Sequence, residues 1–277
     1  MRTPRLTVIA ALVTLSFAVL TTDGLSAADT VTGGAGGDTV WAGVQTGSPP
    51  SGGEADGNGC RWTWATIYDA RIGSSTFITR VLNGISYDLY ERHCPSGMTL
   101  VWIPRIGGSA LARNASALVA ARLPLPSISM APTADHAVVD VGTWLWADTT
   151  WWQPVAATAW VPGLFGTVWA RTTATPVRIT FVTQDDGSVG GGALGSTVCE
   201  GRGVEWRVEF GDEANSSCSY TYRHSSVHRP NGVFVALVVV DWETRFTSST
   251  GTSGVLTPLQ SSMFMTVRVD ELQALVD

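Results

Sequence analysis

The residues that could carry chemistry are few, and the histidines come first. Of the chain's four histidines, His224 stands next to Ser225 and Ser226 in the segment YRHSSVHRP. A serine nucleophile with a histidine base is hydrolase chemistry, but such triads are recognised by geometry and not by adjacency in sequence. No G-x-S-x-G motif, which positions the nucleophile of many hydrolases, occurs in the chain. We therefore predict a polar loop here and keep a secreted hydrolase around His224 as an alternative.

Carboxylate groups are the second candidates. Glycoside hydrolysis needs two carboxylates facing one cleft, and Glu205 and Glu209 would share one face of a strand. Asp185, Asp186 and Asp212 offer the oxygen ligands that calcium prefers, but no D-x-D-x-D-G loop is present. Because neither pattern comes with a cleft or a metal-loop signature, we predict no catalytic residue, no bound metal and no cofactor.

Tryptophan supplies the other functional signal. The segment WLWADTTWW at 144–152 contains four of the chain's twelve tryptophans. Trp144 and Trp146 are two apart and share one face of a strand, and we predict that this face packs inward. Trp151 and Trp152 are adjacent, which predicts that they point to opposite faces. At most one of these two would be free to stack on a sugar or a peptide, so they are the candidate ligand-facing residues.

The N-terminus predicts export. Residues 1–28 combine Arg2 and Arg5 with an apolar run of signal-peptide length and small residues before a cleavage site near Ala28. The run is shorter than the roughly 20 apolar residues that a membrane helix needs, so we expect membrane contact only if the segment stays uncleaved. The mature protein is expected to be secreted or associated with the cell envelope.

The cysteines and the charge fit this location. An even number of cysteines in an exported protein predicts disulfides, and four cysteines allow three pairings. Pairing of nearest neighbours gives Cys60–Cys94 and Cys199–Cys218, each contributing on the order of 3 kcal/mol. The net charge is −6 and the arginines, which are the only basic residues besides histidine, form no basic stripe. We therefore predict no nucleic-acid partner.

Composition divides the rest of the chain into four parts. Residues 29–59 are rich in Gly, Ser, Thr and Pro, which predicts a flexible linker. Residues 60–108 hold three short strand patterns and predict a small β module that depends on its disulfide. Residues 109–137 predict one short helix and a proline-rich connector. Residues 138–277 alternate short β-type runs, VEWRVEF among them, with turn residues, which predicts an antiparallel β-sandwich.

A turn motif lies between two strand patterns of this last part. In PVRITFVTQDDG the alternation of apolar residues ends at Asp185-Asp186-Gly187, and Asp-Gly supplies the positive φ of a tight hairpin. YTY at 220–222 and GVFVALVVV follow it. This order resembles the polycystic-kidney-disease (PKD) type of immunoglobulin-like domain, with its Asp-Gly turn, its H/Y-T-Y segment and its long β-branched strand. The resemblance implies an immunoglobulin-like antiparallel β-sandwich.

The mature chain also resembles a group of secreted actinobacterial proteins. The shared features are T-W-L-W at 143–146, Asp186-Gly187, a cysteine pair with C-x-Y-x-Y from Cys218, and V-R-V-x-E-x-Q-A-L at 267–275. This resemblance implies export and the fold, and it implies no reaction.

Together these patterns predict a mainly β protein in which a small disulfide-stapled β module and one short helix precede a PKD-like sandwich. We predict a non-catalytic cell-envelope protein that mediates adhesion or protein–protein contact through this domain. Its expected partner is therefore a protein at the envelope. The alternative is a carbohydrate-binding module that holds cell-wall glycan with exposed tryptophans.

Overall fold

The computed structural model describes residues 31–32, 43–45, 60–71, 73–163, 167–185, 194–211 and 214–271. Several features predicted from the sequence lie outside the described residues: the signal segment at 1–28, most of the linker, Asp186 with Gly187, Asp212, and residues 272–275 of the second resemblance.

Strands dominate the described part of the chain, which contains one α-helix, α1 (Gly108–Ala121). In chain order the strands are β1 (Val31–Thr32), β2 (Gly43–Gln45), β3 (Arg61–Trp64), β4 (Thr66–Asp69), β5 (Ser74–Phe77), β6 (Thr79–Leu82), β7 (Ile85–Cys94), β8 (Gly97–Pro104), β9 (Ile128–Ala131), β10 (Ala137–Val138), β11 (Gly142–Ala147), β12 (Val155–Val161), β13 (Val168–Thr183), β14 (Gly195–Glu200), β15 (Ser219–Thr221), β16 (Phe234–Ser248), β17 (Ser253–Val255), β18 (Leu259–Val267) and β19 (Val269–Asp270). The prediction of a mainly β protein is confirmed. None of the helices in the described part has the length and apolarity that crossing a membrane requires.

The centre of the fold is an eight-stranded sheet in which β13 and β16 lie side by side. The far edge of β13 pairs with β12 in one half and with β14 in the other, and β12 continues to β2. On the far edge of β16, β17 and β18 pair in succession. β2 belongs to the segment predicted as a flexible linker, so Gly43–Gln45 differ from that prediction by forming a strand of the sheet.

Regular alternation gives this sheet one buried face. In β16 every second side chain from 234 to 246 is buried, and those between are half-buried or exposed. β13 alternates in the same way on both sides of a bulge, where its register with β16 shifts between Pro176 and Arg178. The bulge inserts one residue, so Thr172 before it and Phe181 after it point to the same buried face.

The helix α1 covers one half of this face. It packs on β12, β13 and β16, and its Leu111, Ala112, Ala115 and Val119 are fully buried. Thr172 Oγ1 donates a hydrogen bond to the carbonyl oxygen of Ala112 at 2.9 Å. Small side chains on both surfaces let the helix lie close to the sheet. The helix that composition places before the sandwich is therefore part of the sandwich core.

A three-stranded sheet, β15-β11-β9, covers the other half. Rings on its inward side reach the large sheet: the centroid of Tyr220 lies 5.9 Å from that of Phe181, and Tyr222 stacks on Phe234 at 5.9 Å. β9 comes from the segment predicted as a proline-rich connector. The two sheets and α1 together form the sandwich, which therefore starts before residue 138.

The N-terminal module is formed by β3 to β8. β7 pairs with β8 on one edge and with β3 and β6 on the other, while β4 and β5 form a separate hairpin. Both disulfides pair as predicted, Cys60 with Cys94 in this module and Cys199 with Cys218 in the sandwich. Tyr90 of the module is buried in the same hydrophobic cluster as α1 and the large sheet. The module therefore shares the core of the sandwich.

Candidate functional site

An open groove lies on the outward side of the three-stranded sheet. Strand pairing places Ser219, Trp144 and Ala131 side by side across it. The groove has a volume of about 530 Å³, within the range of about 300 to 1,000 Å³ usual for ligand pockets. The residues that line it are Ala131, Pro132, Val141, Gly142, Trp144, Trp206, Gly211, Ala214, Asn215, Ser216 and Ser219.

The orientation of β11 is the reverse of the prediction. Thr143 and Leu145 are fully buried, and Leu145 belongs to the hydrophobic core. Trp144 and Trp146 therefore lie on the opposite face, although Trp144 is only 8 % exposed. Alternation shows which residues share a face of a strand but not which face the core takes. Trp144 is covered because a loop packs over it, and the rest of its surface opens into the groove.

That loop, residues 201–211, crosses β11 at Gly203. Gly203 has a φ of +76°, and a Cβ atom there would collide with the backbone oxygen of Leu145. Two hydrogen bonds hold the crossing: the Ala147 N–H donates to the Arg202 carbonyl at 2.7 Å, and Arg202 Nη1 donates to the Ala147 carbonyl at 3.1 Å. Only glycine allows the loop to approach β11 this closely in this backbone conformation.

The end of the loop places aromatic rings at the groove. Phe210 stacks on Trp144 with ring centroids 5.6 Å apart and 18° between the planes, and Trp206 lines the groove, half-buried. VEWRVEF was predicted to be a strand, but it is a loop that ends in a single 3₁₀ turn at Val208–Phe210. Its two valines stay in solvent, with Val204 50 % and Val208 74 % exposed. Exposed apolar residues on a fixed loop indicate a contact surface.

The remaining wall, residues 214–219, is held by local bonds. Ser216 Oγ accepts the Cys218 N–H at 3.0 Å, and Ser219 Oγ donates to the Ser216 carbonyl at 3.1 Å. The disulfide joins Cys218 to Cys199 of β14 in the large sheet. This wall is therefore fixed to both sheets.

None of the described residues that line the groove is charged. Within the described part of the chain, the amide of the exposed Asn215 and the indole N–H of Trp206 make no hydrogen bond. The groove thus offers aromatic faces with a few free polar groups, the usual composition of a small-ligand site.

Replacing Gly203 with alanine is expected to displace the crossing loop. The change combines an unfavourable positive φ with a backbone collision, so we expect the free energy of unfolding to fall by about 2 to 3 kcal/mol. Urea unfolding followed by tryptophan fluorescence measures this. Gly201→Ala is the matched control, since Gly201 has a φ of +77° but no atom near the position of a Cβ. Equal losses in the two variants would contradict the role assigned to the contact with Leu145.

Trp151 and Trp152 lie in a turn after β11 instead of on a strand. Their rings meet edge to face with centroids 5.6 Å apart, and Trp151 Nε1 donates to the Ser127 carbonyl at 2.9 Å. Both are partly buried against the core, and neither lines the groove. The argument from alternating faces therefore does not apply to this pair, which packs together.

Asp185 is the centre of a second polar cluster. Its side chain is fully buried. One carboxylate oxygen accepts the Arg223 N–H at 2.7 Å and the Tyr220 hydroxyl at 3.2 Å, and the other contacts His224 Nδ1 at 3.0 Å. Burial raises the pKa of the neighbouring Tyr222 hydroxyl, because the charged form loses hydration there. The first residue of the predicted turn motif thus ties the end of β13 to the chain after β15.

The Asp185–His224 pair has the form of two members of a catalytic triad, but no serine among the described residues completes it. The Ser225 hydroxyl donates to the Val269 carbonyl at 3.1 Å, and the Ser226 hydroxyl donates to the Gly232 carbonyl at 2.7 Å. No hydroxyl of the described residues hydrogen-bonds to His224. The arrangement orients the imidazole and satisfies the buried carboxylate.

The other candidate carboxylates among the described residues do not converge. Glu205 and Glu209 are exposed on the groove loop, with no strand to align them. In the described part of the chain, no group of three or more His, Cys, Asp or Glu side chains is placed to hold a metal ion.

Comparison with known proteins gives no relative on which to base a function. The chain matches no protein-family model, no curated protein and no solved structure. The PKD-like identity of the sandwich and the actinobacterial resemblance therefore stay predictions.

Proposed function

We propose that this chain is an exported, non-catalytic protein that binds a neutral glycan of the cell envelope. The observation that carries the proposal is the groove with Trp144 on its floor and Trp206 on its wall, in which none of the described lining residues is charged. The proposal keeps the carbohydrate alternative but moves its site from Trp151 and Trp152 to this groove.

The chemistry of a sugar ring fits this surface. One side of a hexose ring presents C–H groups, which pack against the electron-rich face of an aromatic ring. Its hydroxyls need neutral donors and acceptors at the edge of that contact, and Asn215 and Trp206 provide them. An acidic or basic ligand would lose hydration without gaining a charged partner among the described lining residues. A neutral saccharide avoids this cost.

The disulfides support the location. Two disulfides and no free cysteine suit an oxidising, extracellular setting, where envelope glycan is found. The signal-like pattern at 1–28 predicts the same compartment.

The test is a binding assay on the chain without residues 1–28. Purified cell wall and soluble neutral oligosaccharides are titrated and followed by co-sedimentation and tryptophan fluorescence. We expect Trp206→Ala to weaken binding at least about tenfold, a change of about 1.4 kcal/mol, because it removes one stacking face. The midpoint of thermal unfolding should hardly change, since Trp206 packs on the surface.

Two kinds of control separate the groove from other aromatic surfaces. Trp102→Ala alters a half-buried tryptophan of the N-terminal module and should leave binding unchanged. Trp151→Ala and Trp152→Ala test whether glycan binds at the two tryptophans that the sequence indicated as candidate ligand-facing residues. Full binding by Trp206→Ala, or a preference for a neutral proline-rich peptide over every glycan, would count against the proposal.

Protein–protein contact at the envelope is the second candidate. An exposed apolar row on the outward face of the large sheet favours it. Val182, Leu237 and Phe264 are cross-strand neighbours there, and Phe264 is 71 % exposed. An exposed apolar row of this kind is typical of a surface that another protein covers.

A further inference from the structure

The large sheet has an unpaired edge at β18. β18 pairs with β16 on one side, and no described residue pairs with its other side. The inward-facing Ser261, Met263 and Met265 of β18 are only half-buried. The inward residues opposite them on β16 are fully buried. Solvent therefore reaches the sheet from this side.

This edge lacks the features that usually protect edge strands. Charged side chains, proline and bulges normally prevent edge strands from pairing with other chains. The nine residues LQSSMFMTV contain no charge and no proline, and their register with β16 is continuous. Pro258 and Arg268 stand only at its two ends. At about 3.3 Å per residue, the open edge is about 30 Å long.

We propose that β18 pairs antiparallel with β18 of a second copy of this chain, joining the two large sheets across a twofold axis. Side chains alternate between the two faces of a strand, so each outward residue of one copy must lie opposite an outward residue of the other. This requires the twofold axis to pass through a residue position and not between two residues. Full overlap of Leu259–Val267 places Met263 on the axis. It sets Ser262 of one copy opposite Phe264 of the other, with about eight to ten new backbone hydrogen bonds.

A second copy is the occupant because β18 is complementary to itself. Full overlap brings no like charges together, and each outward side chain meets an uncharged one. Phe264 and its counterpart become diagonal neighbours across the axis, within reach of two aromatic rings. Leu237 lies beside Phe264 in each copy, so the exposed apolar row continues across the axis and is longer than in one chain. Twofold dimers are also the commonest assemblies of identical chains.

The test measures the molecular mass of the chain without residues 1–28 by analytical sedimentation at protein concentrations across the micromolar range. The wild type is expected to form a dimer. In Ser262→Asp/Phe264→Asp, like charges stand directly opposite each other twice across the axis, and the dissociation constant is expected to rise at least about tenfold. In Ser262→Lys/Phe264→Asp, opposite charges face each other at the same two places, so dimerisation is expected to recover.

Val198→Asp is the matched control. It adds one negative charge at a 52 % exposed outward position on β14, the strand that pairs with the other side of β13, and should leave the dimer unchanged. Thermal unfolding of all variants checks that the fold is kept. A wild type that stays monomeric throughout overturns the proposal. An undisturbed Ser262→Asp/Phe264→Asp dimer overturns it too, and a failure of Ser262→Lys/Phe264→Asp to recover overturns the register.

Discussion

Asp185→Ala is expected to lower the free energy of unfolding by about 3 kcal/mol. The buried carboxylate accepts the Arg223 N–H and the Tyr220 hydroxyl and holds His224. Alanine would leave the Arg223 N–H without its acceptor, whereas the Tyr220 hydroxyl keeps the backbone carbonyl of residue 185 at 3.0 Å. An unsatisfied buried group costs about 1 to 3 kcal/mol. Asp185→Asn keeps an acceptor of the same shape, so we expect about half of this loss. Urea unfolding measures both.

Asp140→Asn provides the comparison, because asparagine removes the charge and tolerates the positive φ of +60° at this position. Asp140 forms an ion pair with Arg223 at 3.1 Å, but both side chains are 69 % exposed. An exposed pair of this kind contributes at most about 1 kcal/mol. If the Asp140 and Asp185 variants lost equal stability, the buried cluster would not have the role proposed here.

His224→Ala separates structure from catalysis in the same cluster. The imidazole is 52 % exposed, so its removal should cost less stability than removal of Asp185. We expect no ester or glycoside hydrolysis by the wild type. Turnover that His224→Ala abolishes would replace the binding proposal with the hydrolase alternative.

The sequence predicts the strands well where one face is buried. β7 coincides with the strand pattern ISYDLYERHC, and β16 covers the long apolar run from Phe234. Both disulfides follow from pairing nearest neighbours, because each closes a short loop within one module. Period-two burial and short loops are local properties, so sequence patterns are sufficient to find them.

Sequence patterns could not predict the groove, because the apolar residues of the loop beside it are not buried in a core. Val204, Trp206, Val208 and Phe210 alternate like a strand, yet they lie on an exposed loop. The one feature that could have indicated the loop is Gly203, because its positive φ and its contact with β11 are not compatible with a regular strand. That contact is long-range, so no local pattern contains it.

The position of α1 was missed for a related reason. Its helical spacing was recognised, but its alanines carry little information about which side packs inward. Ala112 and Ala115 are buried because alanines of β12 and β13 lie against them, far away in the chain. From composition, the helix was predicted to lie outside the sandwich. In the structure, the packing of small residues makes it part of the sandwich core.

Replacing Cys199 and Cys218 together with alanine is expected to lower the free energy of unfolding by about 3 kcal/mol and to weaken glycan binding. The bridge spans 19 positions of sequence and fixes the wall of the groove at 214–219 to β14. Without it, Ser216 and Ser219 keep their local bonds, but the wall loses its attachment to the large sheet. The affinity for glycan is therefore expected to be lower even when it is measured at temperatures well below the unfolding temperature, where the variant is still folded.

Cys60→Ala with Cys94→Ala is the matched control for this variant. That bridge spans 34 positions, so it constrains a longer loop of the unfolded chain and its loss should cost at least as much stability. It lies in the N-terminal module and contributes no residue to the groove. Glycan affinity should therefore fall only when the Cys199–Cys218 bridge is removed. An equal loss of affinity in both double variants would mean that binding follows general stability, and the groove wall would lose its assigned role.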